Sequence, residues 1–176
     1  MNDSLVPAGE GPLAVEETGM REFLGFVVGD EAYALPLSSV REIMRLPPVT
    51  EVPRGPHDVL GIISLRGQVT TLIDLRRRLS MPESGITART RVLLVERRDE
   101  TLGLLVDRVL QVYRLREDEV ELASVLGADA SSYVMGIGRP GVQRSSRRSD
   151  SEEAETDSSI LILLDPMALL KQYGGA

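Results

Sequence analysis

The sequence predicts a mainly all-β fold, made of two similar small β-units with a few short helices. Three observations carry this. Apolar segments are short and bounded by Gly, Pro and charged turns, a punctuation that suits small barrels rather than a parallel sheet. The same order of segments occurs twice along the chain. Hydrophobic residues make up 42% of the chain but aromatic residues only 3%, so the core must rest on Val, Leu and Ile.

The chain has 176 residues, enough for one domain or two small subdomains. Residues 1–19 are rich in Gly, Pro and acid and read as a disordered leader. A single domain is expected over 20–173. Leu24, Phe26 and Val28 alternate with other residues, Gly29-Asp30 offers a turn, and Tyr33, Leu35 and Leu37 alternate again. This pattern predicts an antiparallel hairpin with one buried face. Val40 to Met44 is too short to assign. Pro47-Pro48 and Pro53-Arg54-Gly55-Pro56 make a stiff, irregular connection.

Val59 to Leu75 is the stretch around which the rest is organised. It reads as two apolar strands joined at Arg66-Gly67, where Gly supplies the positive φ of a tight hairpin turn. Asp74 then precedes Leu75-Arg76-Arg77-Arg78-Leu79, one or two helical turns with Asp74 as N-cap. Met81 to Thr90 is a polar linker. Arg91 to Glu96 and Leu102 to Val106 are strands around a charged turn, and Arg108 to Tyr113 can make a third. Asp118 to Leu126 is ambiguous. Tyr133 to Gly138 starts another strand, and Ile160 to Leu164 resumes it. Between them, residues 139–159 form a polar insertion whose composition predicts a disordered loop. Asp165-Pro166 opens a last short helix, with Asp as N-cap and Pro at the first helical position.

The repeat has a definite order. Phe26 to Ile43 shares its pattern with Leu94 to Val112, and Val59 to Leu79 shares its pattern with Val134 to Leu170. Gly61 matches Gly136, and Asp74 matches Asp165 once residues 139–159 are treated as inserted into a hairpin loop, which loops accept at small entropic cost. Two halves follow, roughly 20–90 and 91–173, related by approximate twofold symmetry and open to strand exchange between barrels.

Composition excludes several kinds of chemistry. The formal net charge is −7, which opposes overall attraction to nucleic acid or an anionic membrane. There is no Cys, hence no thiolate metal site or Cys nucleophile, a usage compatible with a reducing cytoplasm. No apolar run approaches the roughly 20 residues of a membrane span, and the N-terminus lacks the pattern of a secretion signal. The only histidine, His57, stands beside Asp58 without a further acid–base partner. Nucleophile elbow and phosphate-binding loop motifs are absent. No enzyme activity, cofactor or metal is expected. Arg76-Arg77-Arg78 lacks interleaved aromatics and reads as a solvated helix face; the competing reading, a small β-barrel that binds nucleic acid, is opposed by the acidic charge.

Glu42 and Arg66 form the candidate pair. Arg at a hairpin tip is either solvated or suited to planar carboxylate pairing at a protein interface. Val40, Ile43, Leu65 and Val69 surround the two residues and form an interaction surface if partly exposed.

Five motifs in order resemble the CheW family of bacterial chemotaxis scaffolds. Val49 to Gly67 (VTEVPRGPHDVLGIISLRG) is similar to the family's Thr-x-Val-Pro, second Pro, and Gly-(Ile/Val)-x-x-Leu-Arg-Gly. Ile73-Asp74-Leu75, Gly103 to Val109, Val40 to Ile43 and Leu164-Asp165 match further family motifs. The resemblance covers about Glu22 to Tyr173. It implies two packed SH3-like β-barrels and a non-enzymatic adaptor in signal transduction. That adaptor would couple transmembrane chemoreceptors to the histidine kinase CheA. Its partners would be the CheW-like regulatory domain of CheA, the chemoreceptor cytoplasmic tip and other CheW-like proteins. It would be cytoplasmic, recruited to membrane-associated receptor clusters without direct membrane insertion. A CheW-like scaffold of a non-flagellar chemosensory pathway is the alternative. The resemblance further implies that Glu42 and Arg66 are functionally sensitive, that Val40 and Ile43 line the neighbouring partner surface, and that Gly67 belongs to the tip. The chain departs from the pattern at Thr70-Thr71, where an apolar residue and Pro are usual, at Ala34, where Gly is common, and at the 139–159 insertion.

Overall fold

The computed structural model describes residues 19–98, 100–126, 132–141 and 160–173. Nearly all of the expected leader, and the expected loop from 142 to 159, lie outside the described residues. The strands are β1 (Met20–Val28), β2 (Glu31–Pro36), β3 (Val40–Met44), β4 (Val59–Leu65), β5 (Gln68–Asp74), β6 (Arg91–Arg97), β7 (Glu100–Val106), β8 (Arg108–Arg116), β9 (Val120–Leu122), β10 (Val134–Gly138) and β11 (Leu161–Leu164). Three single-turn helices accompany them: α1 (Leu75–Arg78), α2 (Ala123–Leu126) and α3 (Pro166–Leu169). The segment Val40 to Met44 is thus a strand. Asp118 to Leu126 divides between a 3₁₀ turn, β9 and α2, and β8 runs past Tyr113 to Arg116.

One sheet has six strands in the order β8-β1-β2-β11-β10-β9, the other five in the order β3-β6-β7-β5-β4. Neither sheet follows the division of the sequence near residue 90. The first half gives its β1–β2 hairpin to the six-stranded sheet and then crosses over, so that β3 pairs with β6 of the other sheet. The second half does the reverse, with the β6–β7 hairpin in the five-stranded sheet and β8 paired with β1. The exchanged strands join at two parallel pairings, β5 with β7 and β11 with β2.

The symmetry extends to local detail. Gly61 and Gly136 each sit where the register shifts in an antiparallel pair, β4–β5 and β10–β11. A Cβ at either would run into a backbone carbonyl, that of Thr50 or that of Glu121. Asp74 caps α1 by accepting from the N–H groups of Arg76 and Arg77, and Asp165 caps α3 by accepting from those of Met167 and Ala168. The N–H of Asp74 donates to the carbonyl of Asp58, and that of Asp165 to the carbonyl of Tyr133, both at 2.8 Å.

Three apolar clusters result. Phe23, Tyr113, Leu115 and Leu163 fill the interior of the six-stranded sheet. Ile63, Leu72, Val92 and Leu94 fill that of the five-stranded sheet. The largest cluster lies between the sheets, with Leu24, Phe26, Val28 and Leu35 from one meeting Ile73, Leu93, Val95 and Leu104 from the other. The β1–β2 hairpin therefore does not have one buried face as expected. Residues 23–28 are all buried, because β1 stands between a barrel interior and the central core. Truncating a central leucine such as Leu93, which is 0% exposed, carries the usual cost of about 2–5 kcal/mol for a buried Leu→Ala change.

The arginine run of α1 is not the solvated face expected of it. Arg76 donates to the Asp107 carboxylate through Nε at 2.9 Å and Nη2 at 2.6 Å, and Asp107 also accepts the Gly29 N–H at 2.7 Å. That one carboxylate joins α1, the β1–β2 turn and the β7–β8 crossover. Arg77 donates to the carbonyl of His57 at 3.3 Å. Arg78 donates to the carbonyl of Leu169 at 3.1 Å and lies over the Tyr133 ring, 5.4 Å from its centroid. Arg76 and Arg78 look solvated in sequence because Asp107 and the Leu169 carbonyl come from distant segments; Arg77 also faces Asp74 and Glu83, which are close to it in the chain.

Candidate functional site

The site begins with the turn between β4 and β5. Leu65 pairs with Gln68, leaving Arg66 and Gly67 as the two central residues, with φ of 50° and 81°. Positive φ at both centres matches the right-handed twist of the flanking strands. Gly67 adopts this conformation freely, whereas for a residue with a Cβ it costs about 1–2 kcal/mol. Arg98 takes the same conformation in the β6–β7 turn, so backbone strain alone does not mark a site. What distinguishes Arg66 is the group it faces.

Arg66 Nη2 lies 3.3 Å from Glu42 Oε2, with side-chain exposures of 83% and 40%. Glu42 is on β3 and Arg66 joins β4 to β5, so the pair spans the two free edges of the five-stranded sheet. Beneath it, Met44, Leu46 and Val49 pack with Leu60 and Leu65 against the barrel interior. The edges are brought together by apolar contact, and the ion pair sits on top. Such an exposed pair contributes about 0–1 kcal/mol, too little to be the reason the barrel closes.

A shallow depression of 350 Å³ opens beside the pair, lined by apolar Met44, Leu65 and Leu94 and by charged Arg41, Glu42 and Arg66. Thr70 also lines it and is buried. Val69, one residue along β5, is 71% exposed. An apolar floor with a charged rim can seat an apolar side chain and orient it by charge.

The five candidate residues do not all meet. Glu42, Arg66 and Gly67 come together at the barrel closure. Ile43 lies on the opposite face of β3 from Glu42, as strand alternation requires, and is 43% exposed. Val40 lies beyond a register irregularity and packs, half-buried, against the central core. Leu94 and Thr101 reach the depression from β6 and β7, and nothing in their local sequence signals it.

His57 is exposed, and its neighbour Asp58 faces elsewhere. The Asp58 carboxylate accepts from the Tyr173 hydroxyl and, at 2.9 Å, from Gln172 Nε2, with Arg78 Nε at 3.9 Å. Burial, and then the hydrogen bond to Asp58, push the Tyr173 phenol well above its ordinary value. This cluster fastens the end of the chain to the start of β4. Among the described residues, no group of three or more His, Cys, Asp or Glu is placed to hold a metal. No helix among them is long and apolar enough to cross a membrane.

Comparison with known proteins agrees with this architecture. The family model described as "CheW-like domain" matches residues 22–173. The chemotaxis protein CheW of Bacillus subtilis is 32% identical over 145 residues, covering 82% of this chain and 83% of that one. The chemotaxis protein CheW of Helicobacter pylori is 33% identical over 118 residues, 67% of this chain and 72% of that one. Protein FrzA of Myxococcus xanthus is 32% identical over 126 residues, 71% and 78%. Among solved structures, the scaffolding protein TtCheW from Thermoanaerobacter tengcongensis superposes with a TM-score of 0.69 at 25% identity, covering 86% of this chain and 92% of that one. With two small SH3-like barrels, strands exchanged between its halves and a family match over nearly all of the described residues, this chain belongs to the CheW-like domain family.

Proposed function

We propose that the chain couples the cytoplasmic tips of transmembrane chemoreceptors to the histidine kinase CheA, and that the closure of the five-stranded barrel is one of its partner contacts. Family membership supports a chemotaxis scaffold that makes and breaks no bond. The observation that carries the surface assignment is the Glu42–Arg66 pair, held across the two barrel edges, largely exposed and beside an apolar depression. A scaffold acts by raising effective concentration and by passing receptor state to the kinase through differential contacts. Recruitment from the cytoplasm to receptor clusters follows from that role.

The test is a pulldown of the full chain against the CheA regulatory domain and, separately, a receptor tip fragment. The expected result is retention of both. Retention of neither overturns the adaptor reading.

A further inference from the structure

A second charged feature lies where the chain crosses from β7 to β8. Arg89, Arg91 and Arg108, with Val109, line an open cavity of 330 Å³. Ion pairs among the described residues engage Arg66, Arg76, Arg77, Arg78, Arg114 and Arg139 but none of these three. The nearest carboxylate in sequence, Asp107, is taken by Arg76 and Gly29.

The Arg91 guanidinium and the Arg89 backbone are held in place. Arg91 Nη1 donates to the carbonyls of Ala88 and Thr90, both at 2.8 Å, which leaves the rest of its guanidinium for another acceptor. Arg89 sits in a turn tied by its own side chains: the Thr87 N–H donates to Thr90 Oγ1 at 2.9 Å, and the Arg89 N–H to Thr87 Oγ1 at 3.2 Å. Fixing donors before a ligand arrives reduces the ordering cost of binding.

The molecule supplies its own control. The β1–β2 and β6–β7 hairpins correspond residue for residue, with Val28 opposite Glu31 and Arg97 opposite Glu100 beside their turns. The crossover after β2 has a corresponding cavity, 460 Å³ in volume, lined by Met20, Arg21, Glu22, Pro36 and Ser38 among others. Met20 stands where the second half has Arg89, and Glu22 where it has Arg91. The fold therefore makes the cavity, but the charge differs: the first half carries one arginine there, Arg21, next to the carboxylate of Glu22, whereas the second half carries three arginines and no lining carboxylate.

We propose that Arg89, Arg91 and Arg108 dock an acidic segment of a partner protein by its adjacent carboxylates. Guanidinium forks match planar carboxylates. A free small anion fits less well, because an open site on a chain of net charge −7 gives it few contacts against an unfavourable overall field. Several linked carboxylates compensate through effective concentration. The proposal needs no particular partner, and a synthetic probe tests it apart from the pulldown above.

The probe is fluorescein-labelled hexaglutamate, followed by anisotropy with the full chain in low salt. The expected result is saturable binding that weakens as salt rises, is absent with hexaglutamine, and drops at least about tenfold in Arg89→Gln/Arg91→Gln/Arg108→Gln. Arg89→Gln alone, at an exposed side chain, lowers affinity about threefold without any demand on refolding. Arg54→Gln, a charge removed elsewhere, leaves it unchanged. Absence of binding in low salt, equal binding by the triple and single variants and the unaltered chain, or displacement by inorganic phosphate at matching concentration each overturns the proposal.

Discussion

The β4–β5 and β10–β11 hairpins share a glycine at the register shift, an aspartate cap at the exit and a parallel neighbour. They differ at the tip. The first turns in two residues, Arg66 and Gly67, and its arginine reaches Glu42. The second carries the long polar insertion between its arms, at whose start the Arg139 N–H donates to the Glu119 carbonyl and the Gly141 N–H to its carboxylate. Features common to both hairpins are what two exchanged barrels require. A feature found in only one of them, the Arg66 tip, is free to serve recognition.

The largest expected effect tests the shared part. Gly61→Ala and Gly136→Ala each push a Cβ into a carbonyl of the adjacent segment, and each should destabilise by about 2 kcal/mol or more, as overpacking against backbone does. Urea denaturation of both variants measures it. If one position tolerates alanine and the other does not, the two hairpins are not equivalent.

Much of this was legible in the sequence, and the unread parts have a common cause. The duplication survives in Gly61, Gly136, Asp74 and Asp165 because turns, close approaches and caps restrict residue type locally. Glu42 and Arg66 are legible as candidates from their chemistry and from family resemblance, but not as residues in contact, since nothing in their spacing says that β3 and the β4–β5 tip close one barrel. The exchange of strands is not legible locally, because each half is self-consistent in sequence. It also hides the partners of Arg76 and Arg78, since Asp107 and Leu169 belong to the other half. The two buried faces of β1 were missed because alternation signals one core, and this strand lies between two.

A smaller effect tests an asymmetry in the fastening of the halves. Asp58 and Tyr133 are counterparts by their backbone bonds, but only Asp58 offers a carboxylate, and the Tyr173 hydroxyl donates to it. The folded phenol is raised by burial and then by Asp58, while an unfolded tyrosine titrates near about 10. Above that pH the unfolded chain loses its proton first and binds fewer protons than the folded one, so stability falls as pH rises. Tyr33, raised chiefly by burial and then by Glu31, acts in the same direction. Chemical denaturation at pH 8 and at about pH 11 should show a loss that shrinks in Tyr173→Phe and shrinks further with Tyr33→Phe. An unchanged loss in the double variant assigns the alkaline sensitivity to other groups.

The smallest effect on stability is expected at the tip, and it separates two ways in which the tip could serve binding. Arg66→Glu and Glu42→Arg each remove an exposed pair and should shift stability by no more than about 0.5 kcal/mol apart from like-charge repulsion. The double variant restores attraction with the charges reversed. If the pair is only a strut that holds β3 to the hairpin, the reversed pair should recover partner retention. If a partner reads the arginine itself, the reversed pair should fail like the singles, because the cation now stands on β3 and the tip carries a carboxylate. The geometry favours the second outcome. Met44, Leu46, Val49, Leu60 and Leu65 already hold the edges together, so the strut is redundant. The Arg66 side chain is 83% exposed, so most of it is open to a partner that reads its charge.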